Sequence, residues 1–309
     1  MVDFHVSAVL DLAGPAGDGS FVVAAAGRLS KLSAGGTLTP FARGPNGYST
    51  PLGPEPYVAS ASGHPFGGSG CSVPSGSVFA IDPDAHHPGV VEVDPGGVAR
   101  RFANFPVGGG PDGIAFDDVG RFGHRLLVTS RNHGTTTLFA VDCAGKVSTI
   151  LAGAAAVEGG IVVAPATFGH FGGDLIAPSE VTGRIFAFSP TGAVVLLAVS
   201  GLPHGGDIGV ESAGFVPAGF GSGGAAYLSD RLSPRNKHPG DDAILRLSGA
   251  ALLGAGVMPG DLLVASEGGA ETIAVHCGST CTIKDVADGP SIAHGEGHIV
   301  FALTALGSR

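Results

Sequence analysis

Gly110-Pro-Asp-Gly-Ile-Ala-Phe116, Leu126-Leu-Val-Thr-Ser-Arg-Asn132, Thr137-Leu-Phe-Ala-Val-Asp142 and Lys146-Val-Ser-Thr-Ile-Leu-Ala152 follow one another with Gly, Asn or Asp turns between them. Each run alternates apolar and other residues, which reads as a short half-buried strand. The same series then restarts, with Glu158-Gly-Gly-Ile-Val-Val163, Asp174-Leu-Ile-Ala-Pro-Ser-Glu180, Arg184-Ile-Phe-Ala-Phe-Ser189 and Ala193-Val-Val-Leu-Leu-Ala198. Four strands in about 45 residues is the period of a propeller blade.

Working outward, the third run of the unit serves as a ruler. It matches Arg28-Leu-Ser-Lys-Leu-Ser33, Ser77-Val-Phe-Ala-Ile-Asp82, Thr137 to Asp142, Arg184 to Ser189, Ala243-Ile-Leu-Arg-Leu-Ser248 and Thr272-Ile-Ala-Val-His-Cys277. Six matches predict a single all-β domain over residues 1–309, a six-bladed β-propeller of four-stranded antiparallel blades. A fourth strand follows in five units, and in the fifth Ala250-Ala-Leu-Leu-Gly-Ala255 reads as a short helical turn. First strands carry Ile114, Ile161 and Ile208 at an even spacing of 47 residues. His294-Gly-Glu-Gly-His-Ile-Val-Phe-Ala302 reads as one more first strand, expected to close the ring by joining an N-terminal unit whose strands run from Phe21 onward. Gly63 to Ser75, Asp84 to Gly97 and Arg231 to Asp241 read as surface loops.

Composition agrees. With 54 Gly and 22 Pro but 44% apolar residues, the chain combines many tight turns with enough material for a core. Its formal charge of −10, from 16 basic and 26 acidic residues, argues against nucleic acid as a partner. No run of 18 apolar residues occurs, so a membrane-spanning helix is not expected. The start Met1-Val-Asp-Phe-His lacks a secretory signal pattern. Cys71, Cys143, Cys277 and Cys281 have no Cys-x-x-Cys spacing; Cys277 and Cys281 are read either as a disulfide across a turn or as buried thiols. The expected setting is extracellular or periplasmic, with cytoplasmic as the alternative, and the expected state is a monomer acting on a small molecule.

In a propeller, the connection into each first strand and the connection after each second strand meet at one mouth of the channel. The first set supplies Asp112, Glu158, His204, Asp207, His294 and Glu296, and the second supplies Arg131, Asn132, His133, Glu180, Asp230 and Glu267. Massed carboxylates near one axis repel unless a cation or protons offset them. Their oxygens suit Ca²⁺ first, or Mg²⁺, while His204, His294 and His298 leave a transition ion open. The residues read as metal ligands are Glu296, Glu158, Asp230, Asp112 and Asn132. Those read as catalytic are Asp230, His294 and His298. Substrate contacts are expected from Arg131, His133, Glu180, His204, Asp207 and Glu267. Taken singly, Asp112, Glu158 or Asp207 beside Gly reads first as a turn cap, and the case for a site rests on their coincidence of position across blades. No nucleophile elbow, phosphate loop or metalloprotease motif occurs. The alternative to an enzyme is a non-catalytic propeller binding a carbohydrate, peptide or protein on the same face; with no Trp and three Tyr, of which Tyr48 and Tyr57 fall in one early loop region, stacking platforms for it are scarce.

At these residues the chain resembles the six-bladed propellers of the senescence-marker-protein and gluconolactonase family. Gly295-Glu296-Gly297 is similar to that family's metal-binding Glu motif, Ala226-Tyr-Leu-Ser-Asp230 to its strand ending in a metal-binding Asp, and Pro111-Asp112-Gly113 to its loop carrying an amide ligand. The resemblance implies a divalent ion in the channel and hydrolysis of a lactone or ester. Here the Glu motif stands at the C-terminal end, and Asp112 or Glu158 replaces the usual Asn. The streptogramin lyases share the blade style and use a His and a Glu with Mg²⁺ to open a lactone by elimination; His294, His298 and Glu296 suit that chemistry as well.

Overall fold

A computed structural model describes residues 2–16, 18–42, 47–50, 55–61, 66–67, 71, 73–84 and 86–307. The chain is an all-β propeller built from short strands. After β1 (Val2–His5), four sheets of four strands follow in chain order. They are β2 (Val9–Ala13) to β5 (Leu38–Phe41) with β3 (Phe21–Ala25) and β4 (Arg28–Leu32); β6 (Val58–Ser60), β7 (Val78–Asp82), β8 (Gly89–Val93) and β9 (Ala99–Asn104); β10 (Gly110–Phe116), β11 (Leu126–Asn132), β12 (Thr135–Val141) and β13 (Val147–Ala155); and β14 (Val162–Val163), β15 (Leu175–Ser179), β16 (Arg184–Phe188) and β17 (Val194–Val199).

The remaining strands are β18 (Val210–Phe215), β19 (Ala225–Asp230), β20 (Ala243–Ser248), β21 (Leu262–Ser266), β22 (Thr272–Cys277), β23 (Cys281–Ala287) and β24 (Gly295–Ala302). Together with β1 they form one sheet of eight, in the order β1-β20-β19-β24-β18-β21-β22-β23. The expectation of six separate four-stranded blades is therefore corrected: four such sheets stand beside one of eight. The two halves of the large sheet meet at a single parallel bridge, Ala213 with His298. Gly214 allows that approach, because a Cβ there would collide with the carbonyl oxygen of Ile299.

Three further expectations change. Ser77 to Asp82 supplies the second strand of its sheet, not the third; the third is β8, inside the stretch read as a surface loop. The glycines and prolines around β8 masked five good strand residues, four of them buried. The first strand of the N-terminal sheet is β2, upstream of the expected start at Phe21. The C-terminal strand β24 pairs with β19 and bridges to β18 instead of pairing into the N-terminal sheet. Gly63 to Ser75 lies largely outside the described residues. As read from sequence, residues after β20 form a short helix, α1 (Gly249–Gly254), capped by the Ser248 side chain accepting from the Ala251 N–H at 3.2 Å. The outer-strand position beside β20 is filled by β1, from the other end of the chain.

Sheets pack face to face through apolar side chains. Phe66, Phe79, Phe102 and Phe116 interlock with centroids 4.8 to 5.8 Å apart. Phe168, Ile176, Ile185, Val264 and Ile273 form another contiguous cluster, and Val9, Phe21, Tyr227 and Ile244 a third. Each such side chain stabilises by about 1.5–3 kcal/mol relative to exposure. Residues from β2, β6, β10, β14, β18 and β24 all line one cavity of about 330 Å³, which locates the axis the sheets surround. Cys71 is bonded to Cys143 and Cys277 to Cys281, the second pair closing the β22 to β23 turn.

Candidate metal centre

Along the axis the first-strand side chains divide into a deep knot and an acidic mouth. The knot is Asp11 with His298. Asp11 accepts backbone N–H groups from Leu12, Val58 and His298 at 2.7 to 2.8 Å, tying together β2, β6 and β24. The His298 Nδ1 lies 2.9 Å from Asp11 Oδ2, and its Nε2 lies 3.0 and 3.2 Å from the carbonyl oxygens of Ile114 and Ile161. Asp11 Oδ1, 3.0 Å from the same Nδ1, is the fourth neighbour; all four are acceptors, so both ring nitrogens donate and the geometry is that of an imidazolium. Burial works against that charge, but Asp11 outweighs it and moves the His298 pKa upward. Gly297, at φ +72°, lets the backbone pass Asp11 where a Cβ would not fit.

At the mouth, β19 ends in Ser229-Asp230, β21 runs out through Ser266 into Glu267, and β24 begins there. Glu267, His294 and Glu296 each turn one ligand atom inward, all within 4.8 Å of one another and all buried. The His294 Nε2 lies 3.3 Å from Glu267 Oε1 and 3.5 Å from Glu296 Oε1. A second group, Glu55, Glu211 and Glu296, meets the same 4.8 Å limit and shares Glu296 with the first. The Tyr57 hydroxyl donates to Glu211 and stands 3.3 Å from Glu296 and 3.4 Å from Glu55. Arg231 bridges Glu55 and Glu296, the latter at 2.9 Å.

Charge is out of balance here. Glu55, Glu211, Glu267 and Glu296 gather around Arg231, which pairs with two of them, Glu55 and Glu296. Burial pushes Glu267 up to about 10, and burial with neighbouring carboxylates also raises Glu55 and Glu211. Burial pushes Glu296 the same way, yet the His294 hydrogen bond and the Arg231 charge hold it below the usual range. Among the described residues, Glu267 Oε2 and His294 Nδ1 are buried without a hydrogen-bond partner. Buried polar atoms left unpaired are costly, and a hard or borderline cation is what an orphaned carboxylate oxygen beside an imidazole fits.

The other sequence-derived residues divide. Asp230 is buried, and its Oδ1 accepts the His294 backbone N–H at 2.8 Å; it therefore holds the strand that carries His294 and stands outside both ligand groups. Asp112 and Glu158 gather around Arg131, which forks onto both oxygens of Glu158 and lies 3.7 Å from Asp112. Burial raises Asp112 to about 7 and Glu158 to about 8. Glu180 accepts the Asp207 backbone N–H. Asn132, His133, His204 and Asp207 are exposed at the rim. Tyr48 and Tyr57 are buried, Tyr48 donating to the Ile81 carbonyl at 2.6 Å, so neither is a stacking platform.

Glu55, Tyr57, Glu211 and Arg231 were not singled out from the sequence. Arg231 directly follows the strand-ending Asp230, and Glu211 falls just after Ile208 of the evenly spaced first strands, so a wider reading of the same register contains both.

No protein-family model matches the chain, and no curated protein is significantly similar to it in sequence. Among solved structures it is similar to virginiamycin B lyase from Staphylococcus aureus, at 13% identity and TM-score 0.49 over 97% of this chain and 93% of that one. It is also similar to a gluconolactonase from Xanthomonas campestris, at 14% identity and TM-score 0.43 over 80% and 87%. A third is regucalcin, a calcium-binding protein from Agrobacterium tumefaciens, at 12% identity and TM-score 0.42 over 77% and 74%. The likeness to gluconolactonase-type and streptogramin-lyase propellers expected from the sequence thus recurs among solved structures, and at these values it assigns no activity.

Proposed function

We propose that the chain is a divalent-metal-dependent hydrolase of lactones or esters, acting at the mouth of its channel. In this reading the eight-stranded sheet serves as two blades. Six innermost strands, β2, β6, β10, β14, β18 and β24, then ring one axis within a single domain, and β1 and β24 close the ring from the two chain ends. The observation that carries the reading is the unpartnered, buried Glu267 oxygen among carboxylates that outnumber their cations.

Glu267, His294 and Glu296 would hold the ion. Ca²⁺ or Mg²⁺ suits the carboxylates, and the imidazole nitrogen favours Mn²⁺ or Zn²⁺. Bound there, a divalent ion would polarise a substrate carbonyl or acidify a water. The chain's own residues do the rest. Arg231 orients Glu296, Asp230 orients the His294 backbone, and Tyr57 fixes Glu211. A cavity of about 380 Å³, lined by Glu55, Arg231, Glu267, His294 and Glu296 among others, gives a small molecule room against these groups. The two disulfides suit an oxidising compartment, which supports a secreted or periplasmic setting.

A second reading, elimination in the manner of a lyase, is favoured by His294 lying beside two carboxylates, which suits a proton-accepting imidazole. Turnover of a lactone and aryl-ester panel, with and without chelator, tests the proposal. Turnover lost on chelation, and lost in Glu267→Gln and Glu296→Gln, is expected. Activity indifferent to chelator and to both substitutions sinks it. Uptake of ¹⁸O from labelled water into the acid product separates hydrolysis from elimination.

A further inference from the structure

Three arginines reach the mouth, and two are already paired. Arg131 is held by Glu158 and Asp112, and Arg231 by Glu55 and Glu296. Arg235 is the third. It is exposed, lines the 380 Å³ cavity together with Glu267, His294 and Glu296, and makes no hydrogen bond or ion pair among the described residues.

Its loop is built to stay in place. The Ser233 N–H donates to the Pro239 carbonyl at 2.6 Å and the Asn236 N–H to the Ser233 carbonyl at 2.9 Å, folding residues 233–239 on themselves. The Asn236 side chain donates to the Asp207 carbonyl at 2.6 Å, the His238 Nδ1 lies 2.7 Å from the Ser291 carbonyl, and the Gly240 N–H donates to the Ile292 carbonyl at 2.7 Å. These bonds cross to two other rim segments. Little side-chain entropy beyond that of Arg235 itself remains to be lost when a ligand arrives.

Resting on the reading of this mouth as a metal-dependent site, we infer that the substrate carries a carboxylate or comparable anion remote from the reacting carbonyl, and that Arg235 binds it. A guanidinium fits a carboxylate through two parallel hydrogen bonds. A divalent ion held by Glu267, His294 and Glu296 would add positive charge beside Arg231 and Arg235 and favour an anion in the same cavity.

The γ-lactone of D-glucaric acid, which keeps a free carboxylate, is compared with the neutral γ-lactone of D-gluconic acid. Arg235→Ala should raise KM for the acidic lactone about tenfold or more with kcat little changed, leave the neutral lactone unaffected, and be partly rescued by Arg235→Lys. Equal effects on both lactones, or none, overturn the inference. If neither lactone is turned over, the proposed activity fails, and calorimetry on the Mn²⁺-loaded protein decides the anion site by itself. D-glucuronate should bind more tightly than D-glucose and lose about tenfold in Arg235→Ala. No glucuronate binding, or binding indifferent to the substitution, overturns it.

Discussion

Asp11 illustrates how one carboxylate can tie several sheets together. It gathers three backbone N–H groups and one imidazolium from three strands with no chain continuity between them. Asn at this position keeps the volume but removes the charge beside His298 and presents donors where acceptors are needed. Breaking a buried pair by neutralising one partner costs about 3–5 kcal/mol. Asp11→Asn is therefore expected to lower the unfolding free energy by that order, read from urea denaturation; a change under about 0.5 kcal/mol, the range of ordinary surface substitutions, contradicts the knot. At this scale the sequence was partly legible. Glu267, His294 and Glu296 were singled out because strand-end position predicts which face a side chain meets. Asp11, Glu55 and Tyr57 were not, because β2 and β6 went unread and no local pattern marks which polar residue of a first strand turns toward the axis.

Among the strands, β12, β16, β20 and β22 fall where the repeated runs put them, because alternation and turn residues are properties of a few consecutive positions. The pairing of β19 with β24, and of β18 with β21, is set by residues about 50 to 80 positions apart and leaves no local mark. The same holds for β1, which covers the outer edge of β20 with three paired positions. Removing residues 1–5 uncovers that edge. The truncated chain is expected to lose about 1–3 kcal/mol of stability and to associate through the exposed strand. Size-exclusion chromatography and thermal melts check this; an unchanged melting temperature with a monomeric elution profile would mean that β1 contributes nothing at the β20 edge.

For the molecule as a whole, buried acid at the mouth makes stability depend on pH in an uncommon direction. Asp112 and Glu158, raised to about 7 and about 8 by burial, keep protons in the folded chain that the unfolded chain has already released above pH ~4. The folded state then binds more protons, so stability falls as pH rises from about 4 to 8, and Glu267, raised to about 10, extends the decline beyond. Urea midpoints of chelated protein at pH 5, 6, 7 and 8 should decline in that order, and Asp112→Asn should flatten the decline. Midpoints that rise with pH would show these carboxyls ionised and well paired.

The central claim is that Glu267, His294 and Glu296 form a divalent-ion site, and calorimetric titration of the chelated protein with Ca²⁺, Mg²⁺, Mn²⁺ and Zn²⁺ addresses it most directly. The account predicts saturable binding of one ion per chain, accompanied by proton release and weakened at least about 10-fold, the lower end for a lost ligand, in Glu267→Gln and Glu296→Gln. Absence of binding for all four ions, or binding unchanged by both substitutions, would contradict it.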